Sequence, residues 1–299
     1  MSRARDLARR LVAWALLAEG STRTAAILRL GLVLQLWCRW ALDFTPFHTT
    51  SPDVRAIGAS FFASSLLFFA GLKTRLAGAW LSLTLVAAYY HLGVRLGMHD
   101  EFSHHHTRLL ATATCLVALA PSGRSLSADR YLENVRAARE GRAPSPERGP
   151  LWAQRLVALQ VSVLYLFTAI DKTQPAFLNG TRLEQIYLHL YAGSDYPAWA
   201  GFHELAVAAA IATVALEYAL AFGLWVPRWR RVLAPLGVAF HLVLYYCVPL
   251  RTFTASMCLL YLAFVDPDRV HAFIDTLLGR GDAPPGPAPG ARAEAPPSP

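Results

Sequence analysis

The stretch Tyr165-Leu166-Phe167-Thr168-Ala169-Ile170-Asp171-Lys172-Thr173-Gln174-Pro175-Ala176-Phe177-Leu178-Asn179-Gly180 decides how the rest of the chain is read. It closes a long apolar run, Leu151 to Ile170, with an aspartate and Lys172; the other lysine of the chain is Lys73. A run of that length matches the ~20 residues that an α-helix needs to cross a bilayer. An amine at the end of such a helix is costly where it is dry and cheap where it snorkels to the interface. The run therefore predicts a membrane helix, with Lys172 at the interface or curled inward.

Working outward, 55% of the 299 residues are hydrophobic and only 16% are charged, which is not the make-up of an average soluble protein. Apolar runs recur over about 24–42, 54–71, 76–96, 109–120, 151–170, 204–226, 232–248 and 253–265. The fold class that follows is all-α: a polytopic helical membrane bundle of about eight transmembrane helices. The 109–120 run is short, so its helix is expected to begin within the preceding histidine segment. The net charge of +8 does not imply nucleic acid, because the arginines sit between apolar runs, where membrane topology accounts for them. Cys38, Cys115, Cys247 and Cys258 all lie inside apolar stretches with no Cys-x-x-Cys pair. They read as small buried hydrophobes, with neither a disulfide framework nor a metal site.

Three regions follow. Residues 1–22 carry Arg3, Arg5, Arg9 and Arg10 beside Leu7, Leu11 and Trp14, a basic amphipathic segment suited to the inner membrane surface. No Ala-x-Ala-type site makes it a secretory signal, and Glu19 to Thr22 reads as a break before the next helix. Residues 23–267 form the transmembrane domain. Residues 268–299 form a cytoplasmic tail, rich in Pro, Gly and Ala and expected to be disordered from about 282. With both termini inside, the inner segments hold nineteen of the 28 Lys and Arg; the outer segments hold Arg95, Lys172, Arg182 and Arg251. That asymmetry supports cytoplasmic N- and C-termini. In a bacterium the location would be the plasma (inner) membrane.

Few groups could carry chemistry in so apolar a chain. Lys172 is either a snorkelling amine that pins a helix end or, if desolvated, a base. Asp171 beside it would hold the proton on the amine. His104, His105 and His106 form a run, but successive residues on a helix point in different directions, so they are a solvated interfacial cluster rather than a metal set. Glu217 and His241 each lie mid-helix in runs joined by a short basic turn, about 14 Å up from it at the helical rise. An ionisable pair at one depth is a site or a helix-to-helix hydrogen bond. Arg29 and Arg39 are further candidate partners for Glu217, and 182–191 reads as an interfacial helix with Tyr187, Leu190 and Tyr191 toward lipid.

Taken together, three segments resemble one family. The first is Tyr165, small residues, Lys172, then Phe177 and Gly180. The second is His106 opening a helix and Ser127-Ala128-Asp129 after the next turn. The third is Glu217, a basic turn and Phe240-His241. They occur in the order found in the vitamin K-dependent γ-carboxylase-like membrane domain, the HTTM domain, which the chain resembles over roughly 24–267. The resemblance implies a quinol-dependent oxygenase or carboxylase-like enzyme, lyase-like in class, whose cofactor is a reduced quinone of the vitamin K type. It implies Lys172 as the base, with His106, His241 and Glu217 as further catalytic residues. Tyr165, Phe177 and Asp129 would bind the cofactor, and no metal is implied. Implied partners are membrane lipids, the quinone and a small secreted peptide or protein substrate, with no nucleic acid.

The best-known members carry a second lysine where Asp171 stands and a histidine where Arg124 stands. The carboxylase also continues into a large lumenal portion, whereas this sequence ends about 30 residues after its last apolar run, which argues against protein γ-carboxylation itself. The alternative is a non-catalytic maturation, export or immunity factor that uses the same scaffold to bind a lipid or peptide. A transporter is disfavoured because no inverted repeat is apparent. Topology is directly testable: a cysteine placed at Ser194 should label from outside the cell and one at Ser145 should not, and the reverse would put Lys172 on the wrong face.

Overall fold

A computed structural model describes residues 2–45, 51–103, 105–191, 195, 198–248 and 251–279. Ser194, His104 and the tail from 282 lie outside the described residues. In chain order the helices are α1 (Ser2–Val12), α2 (Arg23–Trp40), α3 (Pro52–Ala70) and α4 (Thr74–Ala87), the last prolonged by a π-helical stretch, Ala88–Arg95. Next come α5 (His105–Leu119), α6 (Ala128–Arg139), α7 (Trp152–Lys172), α8 (Pro175–Leu178) and α9 (Thr181–Leu190). Last are α10 (Phe202–Gly223), α11 (Pro227–Cys247), α12 (Arg251–Leu260) with a 3-10 turn at Tyr261–Phe264, and α13 (Pro267–Leu277). Each of the eight apolar runs is a helix, and α5 does begin within the histidine segment.

Among the described residues, four helices are long and apolar enough to cross a membrane: α3, Thr74–Arg95, α7 and α10. The apolar stretches His106–Leu119 and Thr252–Phe264 are shorter. α2 and α11 differ by charge, holding Arg23, Arg29 and Arg39 in the first and Arg228, Arg230 and Arg231 in the second. The outer surface is strongly apolar: Leu76, Leu83, Phe222 and Tyr246 are each exposed by 60% or more. A water-facing surface would not carry so many large side chains, and a lipid-facing one would. Cys38 and Cys115 are also exposed rather than buried as expected, and all four cysteines are free thiols.

The core is built on α2. Leu28, Leu32, Leu36 and Trp40 recur every four residues on one face and are buried. Trp40 stacks on Phe102 with ring centroids 6.0 Å apart. One of the three arginines inside this helix has an unexpected destination. Arg29 is fully buried, and its guanidinium donates to the carbonyls of Ser122 and Leu126 at 2.5 Å each. It thereby supplies donors to two carbonyls of the connecting segment that runs through the 3-10 turn Ser122–Arg124.

That turn also organises α3, α4 and α6. α3 starts with Pro52 at its first position and ends at Gly71, whose φ of +67° suits glycine. A Cβ there would clash with Ser127 and stand 3.0 Å from Arg29 Nη1. α4 follows at once, and Lys73 offers its first turn no acceptor. Asp129 supplies it from elsewhere, accepting from Lys73 N (2.8 Å), Thr74 N (2.9 Å) and Thr74 Oγ1 (2.7 Å). Ser127 caps its own helix, accepting from Arg130 N at 2.9 Å. Both polar residues of Ser-Ala-Asp are thus helix caps.

The segment Glu19–Ser21, read above as a plain break, is a short β-strand, β1, paired antiparallel with β2 (Arg148–Pro150). A polar clamp surrounds the pair. Arg23 donates from Nε to Glu147 (3.0 Å) and from Nη1 to Asp275 (2.6 Å). Ser125 Oγ donates to Glu147 at 2.8 Å, and Arg148 pairs with Asp268 at 3.0 Å. These contacts tie α2, α13 and the segment before α7 together at one end of the bundle.

Burial by itself raises the Glu147 carboxyl, but the hydrogen bonds and charge of Arg23, Ser125 and Arg130 outweigh it and hold the group below its ordinary range. A group lowered on folding stabilises fully above its unfolded value and loses that contribution as pH falls through its folded one. The melting temperature of the purified protein should therefore drop on acidification below the ordinary carboxylate range. Glu147→Gln should lower it at neutral pH and flatten the acid limb; an unchanged limb would place the clamp elsewhere.

Candidate functional site

Helix α7 places Tyr165, Thr168 and Lys172 on one face, three and four residues apart. Across from that face, α10 presents Glu217, α11 presents His241, α5 presents His106, and α12 with its 3-10 turn presents Phe253 and Tyr261. All of these except Tyr261 line a cavity of about 530 Å³, closed further by Phe177 and Tyr187. Its walls are mainly aromatic and aliphatic.

Lys172 Nζ lies 2.5 Å from Glu217 Oε1. The carboxylate side chain is 5% exposed and the lysine 28%. Glu217 Oε2 is buried and, among the described residues, has no hydrogen-bond partner. The Phe177 ring centroid is 6.0 Å from the amine, close enough for a cation–π contact. Asp171 is exposed and makes no ion pair among the described residues. The carboxylate that holds the ammonium is thus Glu217, from another helix, and not the sequence neighbour.

A second polar chain lines the floor. His241 is fully buried, with Nε2 2.6 Å from the Tyr165 hydroxyl, which is also hydrogen-bonded to the Tyr261 hydroxyl. His241 Nδ1 has no partner among the described residues. Thr254 Oγ1 donates to the His241 carbonyl at 3.0 Å. Gly237 permits this arrangement, since any Cβ at that position would clash with the Tyr261 hydroxyl. His106 stacks on Phe253 with centroids 4.7 Å apart, and Phe253 meets the His241 ring edge-on at 5.6 Å.

Six residues singled out in the sequence therefore converge here: Lys172, His106, His241, Glu217, Tyr165 and Phe177. Asp129 does not; it caps α4 and borders a separate polar cavity with Arg75, Arg124 and Glu133. Glu217 and His241 share the cavity without a direct hydrogen bond, because each takes a partner on α7. Arg29 and Arg39 do not reach Glu217, being engaged by turn carbonyls and by Asp43 (3.7 Å).

The end of α7 lies beside the later part of α10, with Thr173 Oγ1 3.1 Å from the Tyr218 hydroxyl. Glu217 is about 22 Å along α10 from Phe202. The earlier turns of α10 are covered by α8 and α9: Gly180 packs on the Val207 backbone, and His203 Nδ1 meets Glu184 Oε1 at 3.0 Å. Tyr187, expected toward lipid, instead faces the cavity and packs against Phe202 at 6.2 Å. Sequence reasoning missed Tyr261, Thr168 and Phe253. Tyr261 had a usable signal, because a tyrosine in the middle of an apolar run needs a partner for its hydroxyl.

A family model described as HTTM domain matches residues 54–269, well over half of the chain. No curated protein matches, and no solved structure does.

The pair has a stability consequence. Glu217→Gln leaves the Lys172 ammonium without its anion and should destabilise the protein by about 3 kcal/mol, as removal of one partner of a buried pair does. Adding Lys172→Met should restore much of the loss in thermal unfolding of the detergent-solubilised protein. Additive losses in the double variant would mean that the two side chains are not coupled.

Proposed function

The chain belongs to the HTTM family, membrane proteins related to the vitamin K-dependent carboxylase, and from that membership we propose that it is a quinol-dependent membrane enzyme whose proton acceptor is the Lys172–Glu217 pair. The observation that carries this reading is the ion pair itself: a buried carboxylate, one oxygen of which has no hydrogen-bond partner among the described residues, held against an amine on the wall of an apolar cavity. Cavities of roughly 300–1,000 Å³ with few polar groups suit small ligands. A reduced quinone bound here would supply electrons and an acidic hydroxyl.

The residues of the chain do the rest. The ion pair is net neutral as it stands and can take up one proton. Whether that proton rests on Glu217 Oε2 or on an amine that has passed its own proton to the carboxylate, the pair ends with a net charge of +1. That charge would stabilise the negative charge left by deprotonation, in a site too dry for water to do so. His241, anchored through Nε2 by Tyr165, keeps Nδ1 for a ligand oxygen. The roof of α8 and α9, with Phe177 and Tyr187 lining the cavity, would restrict the access of bulk water to a bound ligand. Asp129 has no part in this scheme.

Within the same proposal the eight apolar helices all cross the membrane, with both termini cytoplasmic and the Lys172 end of α7 toward the outside. The excess of arginine at the opposite end supports it. In a bacterium the membrane would be the inner one.

The test is turnover by the full-length protein in nanodiscs with a reduced naphthoquinone, followed as hydroquinone oxidation and oxygen uptake. Lys172→Ala should lower the rate by about a hundredfold or more, the scale of a lost general base, while ligand binding persists. Wild-type rates in the variant, or no binding of the reduced naphthoquinone by the wild type, would defeat the proposal.

A further inference from the structure

A second cavity lies at the other end of α7, among the elements of the polar clamp, and the mechanism above makes no use of it. Its volume is about 400 Å³, and it is bounded by Trp14, Glu19, Gln154, Arg155, Trp225 and Arg230, with Asp266 and Asp268 at its edge. Two of its side chains carry opposite unmet needs. Gln154 is 94% buried; its Nε2 donates to the Ala263 carbonyl at 3.2 Å, while its Oε1 has no donor among the described residues. Arg155 Nη1, on the next residue, is buried and has no acceptor among them. Such groups are expensive to leave unmet, and a cationic N–H more so.

The surroundings sharpen the requirement. The Arg155 guanidinium lies 4.3 Å over the Trp14 ring, and Trp14 packs on Trp225 at 5.9 Å. The guanidinium is thus held in place without an anion. α11 begins at this cavity with Pro227 and has no side-chain cap, so its first free N–H groups also favour negative charge. Arg230 adds a second guanidinium, which donates to the Phe264 carbonyl. The acidic groups are not all spare: Asp268 is held by Arg148 and Ser21 N, and Asp266 caps α13. Glu19, exposed at the rim, makes no ion pair among the described residues.

We propose that this cavity binds the headgroup of a phospholipid whose phosphate meets Arg155 and Arg230 and whose primary ammonium meets Gln154 Oε1 and Glu19, the chemistry of phosphoethanolamine. The ligand needs both an anion and a compact N–H donor, since the two unmet groups line one cavity. A choline headgroup lacks the N–H, and a glycerol headgroup lacks the cation. A lipid, rather than a free phosphoester, is indicated by the apolar rim, because Leu16 and Leu17 of the N-terminal segment are exposed beside the cavity and can lie along acyl chains. The occupant would pin that segment to the bundle. The proposal stands independently of the quinol reading, and either can fail alone.

Native mass spectrometry of the full-length protein in mild detergent tests it, with phosphatidylethanolamine, phosphatidylcholine and phosphatidylglycerol added in turn. The expected result is phosphatidylethanolamine bound at least about tenfold more tightly than the other two. Arg155→Met and Gln154→Leu should each reduce that binding by about tenfold, the effect of losing one hydrogen bond to a charged group. Equal binding of the three lipids by the wild type overturns the headgroup assignment without recourse to any variant. Retention by both variants, folded by circular dichroism, overturns the site. Saturation by soluble phosphoethanolamine or inorganic phosphate at the concentration the lipid requires overturns the lipid as its source.

Discussion

An ammonium that leaves water on a lipid-facing helix has to meet an acceptor at hydrogen-bond distance, and in this protein the Glu217 carboxylate meets Lys172 at 2.5 Å. Two unit charges about 4 Å apart attract by about 4 kcal/mol at an effective dielectric of about 20. Burying one leucine contributes about 1.5–3 kcal/mol. Apolar ridges on two membrane helices can slide past each other by a turn at modest cost, but a buried charge cannot change partner that way. The Lys172–Glu217 pair therefore favours one register of α7 against α10. The rest of this end of the bundle accords with that register: α7 ends beside the later part of α10, and α8 and α9 fill the space above it.

The floor of the cavity rests on a different principle. Three polar rings, Tyr165, His241 and Tyr261, satisfy one another in a place where water is scarce. They come from α7, α11 and the turn after α12, so a single hydrogen-bonded chain joins three helices. Each is held by something outside the chain: Tyr165 by the buried face of α7, His241 through its carbonyl by Thr254, and Tyr261 by close approach to Gly237. A site on such supports keeps its shape, which the proton transfer proposed for it would require.

The opposite end of the bundle is polar and tightly tied. Arg29 closes a turn, Asp129 caps a helix that follows the previous one too closely to cap itself, and Arg23 joins Glu147 and Asp275. Asp129 shows how far a shared motif carries. The resemblance grouped it with His106 as a site residue, yet its oxygens are engaged by Lys73 and Thr74, and it borders a different cavity.

Much of this was legible in the sequence. Apolar runs of bilayer length, separated by arginines and proline, fix which residues are helical, because backbone groups in lipid have no other way to be satisfied. The same runs make the ionisable residues inside them conspicuous, and so Lys172, Glu217 and His241 stood out without a structure. What sequence could not show was who pairs with whom. Asp171 adjoins Lys172 in the chain but is turned about a quarter of a circle away around the helix. Glu217, forty-five positions on, is the residue in reach. Arg29 looked like a partner for Glu217 and went to two carbonyls of a turn, and Glu19 to Ser21 looked like a break and found a strand partner at 148–150. Helix formation depends on neighbours three and four residues away, which a linear text displays. Partnership depends on the rotation and register of helices packed against one another, and those exist only once the whole bundle has formed.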